Sequence, residues 1–118
     1  MILAAVDDLM FRSKISATAR QVGAELAFAR SAEETLTQAR TLKPRLIILD
    51  LNSQGVDPLR TIAQLRNDPE LASMRTLGFV SHVQSELIAA AREAGIDEVL
   101  ARSAFAARLA EILREDLV

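Results

Sequence analysis

Short, unbroken apolar runs alternate along the chain with longer segments in which apolar positions recur at helical spacing. Continuous runs suit strands buried on both faces, and the longer period suits helices that bury a single stripe. The alternation therefore predicts repeated βα units around a parallel sheet. Residues 2–6 form the first predicted strand, and a helix follows from Met10 to Val22 with Phe11, Ile15, Ala19 and Val22 on one face and Gly23 as its stop. Residues 25–29 read as the second strand. Ser31, followed three residues on by Glu34, has the spacing of a capping box, so it opens a second helix that ends before Pro44.

Leu46 to Leu49 is the strongest strand, and its unbroken apolar character places it at the centre of the sheet. After a loop over residues 52–56, Asp57 reads as an N-cap with Pro58 at the first helical position, starting a helix through Arg66 that Asn67, Asp68 and Pro69 terminate. Thr76 to Ser81 is the fourth strand, residues 84–94 an alanine-rich helix stopped by Gly95, and Glu98 to Ala101 a short fifth strand. Ser103 is expected to cap a last helix whose core face is Phe105, Leu109, Ile112 and Leu113.

Length and composition narrow the setting. The chain has 118 residues, near the usual size of one domain, and residues 1–118 read as one unit with no linker or second module. Half of it is apolar, yet no stretch approaches the roughly 18 uncharged apolar residues of a membrane span and the N-terminus lacks the basic start of a signal peptide. A soluble, cytoplasmic protein is the expectation. Cysteine is absent, which removes disulfides, thiolate catalysis and thiolate metal ligands. The net charge is −2, no basic stripe is visible and the aromatics amount to four phenylalanines, so direct nucleic-acid binding is not expected.

The chemistry gathers at strand ends. Asp7 and Asp8 close the first strand and Asp50 closes the third, and parallel sheets put ligand sites in the crevice outside such ends. Carboxylate oxygens suit a hard cation such as Mg²⁺, and a carboxylate beside one can accept a phosphoryl group, whose transfer needs positioning and charge neutralisation above all. Simpler roles exist for each residue alone: Asp8 could cap the first helix, Ser81 could end its strand, Arg102 could be a surface residue, and Asp57 is accounted for by its place before Pro58.

Taken together, Asp7 and Asp8, then Asp50, then Ser81, then Arg102, at the ends of the first, third, fourth and fifth strands, resemble a bacterial response-regulator receiver domain over nearly the whole chain. The resemblance implies a doubly wound (βα)5, flavodoxin-like α/β fold with a five-stranded parallel sheet of order 2-1-3-4-5. It implies a stand-alone receiver in a two-component phosphorelay. Asp50 would be the phosphoacceptor, and Mg²⁺ would be held by Asp7, Asp8, Asp50 and the backbone carbonyl of Asn52. Ser81 and Arg102 would bind the phosphoryl group. A histidine kinase or histidine phosphotransfer protein would be the donor, approaching across the first helix, and a downstream protein would read the modified surface. The face of the fourth and fifth helices would serve for docking or homodimer formation. No enzyme activity is implied beyond self-catalysed phosphotransfer and autodephosphorylation.

Departures from the family pattern are also visible. Arg102 stands where the family has lysine, keeping the sign but changing a point charge for a planar fork. Val99 replaces the aromatic residue that switches rotamer in many receivers, and His82 follows Ser81 where a small residue is usual. His82 and Val99 are thus the positions that would gate the pocket, although a lone histidine is more often a bystander. These changes motivate an alternative, a pseudo-receiver that acts as a phosphorylation-independent interaction module. A small hydrolase or flavin-binding protein is disfavoured, because the loop after the first strand lacks a glycine-rich phosphate cradle.

Overall fold

The computed structural model describes residues 1–81 and 84–115. Five strands alternate with five helices: β1 (Ile2–Ala5), α1 (Leu9–Val22), β2 (Leu26–Ala29), α2 (Ala32–Leu42), β3 (Leu46–Asp50), α3 (Pro58–Asn67), β4 (Arg75–Val80), α4 (Ser85–Ala94), β5 (Glu98–Ala101) and α5 (Arg102–Glu115). The strands are all parallel in the order β2-β1-β3-β4-β5, as expected, and β3 lies in the middle with every residue buried.

Side chains alternate across a strand, and here the alternation divides the core in two. Ile2 and Ala4 of β1 and Leu46 and Ile48 of β3 face Phe11, Ile15 and Ala19 of α1 and Phe105, Leu109 and Ile112 of α5. Leu3, Ala5, Ile47 and Leu49 point the other way, against Ala39 of α2, Ile62 and Leu65 of α3 and Ala91 of α4. With both faces covered, the run 46–49 must be apolar at every position, which is why it reads so strongly in the sequence. Val99 of β5 is half-buried and packs on the α2–α4 side.

Several helix ends follow local chemistry and others depart from it. Gly23 and Gly95 take left-handed φ values of 75° and 113° and close α1 and α4, as glycine favours. Ser31 Oγ accepts the Glu34 N–H at 3.1 Å, so the capping box forms in that direction. The return bond from Glu34 is replaced by one that its carboxylate accepts from the Gln38 amide at 3.3 Å. Asp57 is not a side-chain cap: it lies in the left-handed region at φ 49° and its carboxylate makes no capping bond, while Pro58 does begin α3. Ser103 is not a cap either, because β5 passes directly into α5 and Arg102 is already helical.

Candidate functional site

The strand order reverses between β1 and β3, and the crevice at that point is bounded by Asp7 and Asp8 after β1, Asp50 at the end of β3, and the start of α5. Asp50 is held inward by the last pair of the β3 ladder, opposite Phe79, and the residue is 4% exposed. One of its oxygens, Oδ1, accepts the Asn52 N–H at 3.0 Å. Burial pushes the Asp50 carboxyl above the ordinary carboxylate range. The Asn52 N–H and the Arg102 charge work against that, and the nearby Asp8 and Asp7 charges add to it.

Asp7 and Asp8 are exposed. Asp8 caps the first helix, as its simpler reading expects, and also faces Arg102. Its Oδ1 caps α1 by accepting the Phe11 N–H at 3.0 Å, and its Oδ2 lies 3.9 Å from Arg102 Nη2. The loop after β3 passes close to Asp7: a Cβ on Gly55 would sit 3.3 Å from Asp7 Oδ2 and 3.2 Å from the Arg30 carbonyl, so a larger residue at 55 would crowd that carboxylate.

Arg102 rests on a floor that the sequence reading missed. Phe11, Phe79 and Phe105 form one cluster, with Phe79 and Phe105 stacked at 4.7 Å and Phe11 at 4.8 Å from Phe79. The guanidinium lies 4.8 Å from the Phe11 ring centre and 5.8 Å from that of Phe79. Among the described residues its buried Nε has no hydrogen-bond partner. A signal was present: Phe11 follows Asp8 by one helical turn, and Phe105 stands at the same spacing after Arg102.

Asn52 and Ser81 meet in a way that spacing alone does not reveal. Asn52 Oδ1 accepts both the N–H and the hydroxyl of Ser81 at 2.8 Å, and Asn52 Nδ2 donates to Gln84 Oε1 at 2.6 Å. One amide thereby ties the loop after β3 to the loop before α4. His82 lies outside the described residues.

The donor set fits a hard divalent cation: carboxylates and a backbone carbonyl, with no sulfur or imidazole among the described members of the site. Among the described residues no three acidic or histidine side chains are grouped closely enough to hold a metal by themselves, so an ion at this site would have to keep several waters beside one or two of the carboxylates. The mutual repulsion of Asp7, Asp8 and Asp50 supplies the need for positive charge.

A family model described as the response regulator receiver domain matches residues 2–114. Response regulator protein VraR of Staphylococcus aureus is 27% identical over 85 residues, covering 72% of this chain and 40% of the relative, so the chain spans well under half the length of the curated relatives it matches. A response regulator from Hahella chejuensis superposes with a TM-score of 0.87 at 18% identity, covering 99% of this chain and 94% of the other. The Mn²⁺-bound form of response regulator Rcp1 superposes with a TM-score of 0.80 at 16% identity, covering 96% and 91%. Among the described residues no helix is long and apolar enough to cross a membrane.

Proposed function

The chain belongs to the response regulator receiver domain family, and from that premise we propose that it accepts a phosphoryl group on Asp50 and passes the signal on through protein contacts. The observation that carries the proposal is the placement of Asp50: a nearly buried carboxylate at the switch in strand order, with the charges of Asp7, Asp8 and Arg102 all acting on it. One oxygen is engaged by the Asn52 N–H, which orients the group and leaves Oδ2 as the attacking atom. In the transfer, the P–N bond of a phosphohistidine breaks, an O–P bond to Asp50 forms, and the electron pair of the broken bond returns to the imidazole of the donor.

Asp7, Asp8, Asp50 and the Asn52 carbonyl would hold Mg²⁺. When bound, that ion supplies charge neutralisation for the carboxylates and the incoming phosphoryl oxygens. Arg102, seated on the phenylalanine rings, adds a fixed positive charge at the same end of the sheet. Ser81 supplies a hydroxyl for a phosphoryl oxygen once it leaves Asn52. The new group brings close to two negative charges and strong acceptor oxygens, enough to draw Ser81 and Arg102 toward Asp50 and reshape the adjoining loops. The donor is a histidine kinase or histidine phosphotransfer protein, the location is cytoplasmic, and the α4 to α5 face is the surface that a downstream partner or a second copy would meet.

A second reading, the pseudo-receiver, draws on two contacts: the Ser81 hydroxyl already donates to Asn52, and Arg102 is held over Phe11 and Phe79. Incubation with acetyl phosphate and Mg²⁺, read by intact mass, separates the two. The expected result is gain of one phosphoryl group by the wild type, none by Asp50→Asn, and none when the cation is chelated. A wild type that gains no mass and binds no Mg²⁺ in a titration overturns phosphoacceptance in favour of the second reading.

A further inference from the structure

Phe11 touches both a carboxylate and the cation of the Asp50 crevice. Its N–H donates to Asp8 Oδ1 at 3.0 Å, and its ring centre lies 4.8 Å from the Arg102 guanidinium. The other oxygen of Asp8, Oδ2, faces Arg102 Nη2 at 3.9 Å, so carboxylate, guanidinium and ring close a loop of contacts that begins and ends on Phe11. The ring is itself fixed: the residue is 8% exposed, and the ring lies 4.8 Å from Phe79 and 5.7 Å from Phe105. A buried N–H without a partner carries a cost, and among the described residues Arg102 Nε has none, a loss that contact with the rings offsets. Arg12 repeats the stack between α1 and β2, at 4.6 Å from the Phe28 ring centre, with no member of the crevice in it.

We propose that Phe11 is a positioning residue that sets the reach of Arg102, holding the guanidinium against Asp8 so that it competes with an incoming divalent cation for that carboxylate. A planar fork needs such support more than a point charge would. Its hydrogen bonds leave along fixed directions, and a free arginine side chain loses much freedom when a ligand fixes it. With the ring beneath it, part of that freedom is gone before any ligand arrives. Both oxygens of Asp8 are addressed within the fold, Oδ1 by the Phe11 N–H and Oδ2 by Arg102. Mg²⁺ must therefore displace the guanidinium from Oδ2 or bind beside a like charge. Once displaced, Arg102 remains anchored to the rings and can face a phosphoryl oxygen instead. That last step rests on the reading of Asp50 as phosphoacceptor; the competition at Asp8 does not.

The test is Phe11→Leu in the whole chain, which deletes the ring and keeps an apolar side chain and the N–H to Asp8. Three quantities are measured: the NMR signal of the Arg102 Nε–H, assigned by its loss in Arg102→Gln, the Mg²⁺ affinity by calorimetric titration, and the rate of mass gain from acetyl phosphate at saturating Mg²⁺. In the wild type the Nε–H signal should be displaced by ring currents and exchange slowly with water, and in Phe11→Leu it should return toward the ordinary arginine position. Mg²⁺ should bind about two- to threefold more tightly to Phe11→Leu and about fivefold more tightly to Arg102→Gln, the range of one exposed charge pair. Phosphoryl gain should slow about threefold in Phe11→Leu. Tighter metal binding with slower transfer marks a misplaced cation, since a loosened fold would weaken both. Phe11→Leu should change the Mg²⁺ affinity no further in an Arg102→Gln background, Phe11→Tyr should restore wild-type values, and Phe28→Leu, beneath Arg12, should leave all three readouts unchanged. Thermal melts check that each variant is folded. An unmoved Nε–H signal, weaker or unchanged Mg²⁺ binding in Phe11→Leu, the same gain without Arg102, or the same changes in Phe28→Leu would overturn the proposal. A wild type that binds Mg²⁺ and gains no phosphoryl group would instead overturn phosphoacceptance, with the first two readouts still deciding the role of Phe11.

Discussion

The two ends of the sheet treat the same residue type in opposite ways. At the end opposite Asp50, Arg66 uses every donor that a guanidinium has: Nε to the Gly95 carbonyl, Nη1 to the carbonyls of Ala72 and Met74, and Nη2 to Thr76 Oγ1 and Asp97 Oδ2, all within 3.0 Å. Asp97 Oδ2 in turn accepts the Thr76 N–H at 2.8 Å. At the other end, Arg102 has an Nε with no partner among the described residues, two ring contacts and an ion pair stretched to 3.9 Å. The carboxylates differ in the same direction. Arg40 and the Glu70 N–H hold Asp68 below its ordinary range, whereas burial raises Asp50. A polar group completed by its own fold contributes to stability, and one left incomplete keeps its interactions for a ligand.

Exchanging each arginine for alanine is the severest trial of that contrast. Arg66→Ala strands four backbone and side-chain acceptors and removes the cation beside Asp97, so it should cost about 3 kcal/mol and lower Tm by more than about 10 °C. Arg102→Ala should stay within about 1 kcal/mol, since it gives up ring contacts and a long ion pair while removing an unsatisfied nitrogen. Urea denaturation measures both. Equal losses would show that Arg102 is as structural as Arg66.

The next effect is smaller and depends on pH. Because the folded-state pKa of Asp50 is raised, the native chain binds that proton more tightly than the unfolded chain does. The stability it contributes is complete below the unfolded value and is lost as pH rises through the folded one. Ionised Asp50 therefore burdens the fold at neutral pH, and Asp50→Asn should stabilise it there by about 1 kcal/mol, with the advantage vanishing in acid below the ordinary carboxylate range. Asp68→Asn should behave in the opposite sense. Its carboxylate supports the fold above the unfolded value and loses that support as pH falls through its lowered folded value, so the substitution should weaken the protein at neutral pH and not in strong acid. Melts across pH separate the two variants, and parallel profiles would break the comparison.

How much of this could be read from the chain alone depends on the range of each interaction. The strands, the central place of residues 46–49 and the helix stops at Gly23 and Gly95 are legible because burial pattern and glycine geometry act locally. The grouping of Asp7, Asp8, Asp50 and Arg102 at one end follows from the parallel topology. Asp57 and Ser103 were misjudged where tertiary placement overrode local preference: the chain turns left-handed at Asp57, and β5 meets α5 with no residue between them. Arg66 passed unremarked because its partners lie 6 to 31 residues away. The Asn52 bridge has the same cause, whereas the aromatic floor under Arg102 left a local trace in the one-turn spacing of Phe11 after Asp8 and of Phe105 after Arg102.

That bridge offers the finest distinction between a group completed by the fold and one reserved for a ligand, because Ser81 stands on the border. Its hydroxyl is satisfied by Asn52 at 2.8 Å, yet it sits at the incomplete end of the sheet. If phosphorylation draws Ser81 toward Asp50, the bond to Asn52 must first break. Asn52→Ala removes that obstacle while keeping the backbone carbonyl, at a cost of about 1 kcal/mol for the lost hydrogen bonds. It should speed phosphoryl transfer from acetyl phosphate by about two- to threefold, the gain being limited because Ser81 also donates to water in its free state. Asn52→Asp keeps an acceptor and adds a charge, so it should hold Ser81 more firmly, repel the incoming phosphoryl group and slow the reaction. Stopped-flow or mass-based rates for the two variants should therefore fall on opposite sides of the wild type. If both are slower, Asn52 assists the transfer and Ser81 belongs with Arg66 among the groups that the fold has already completed.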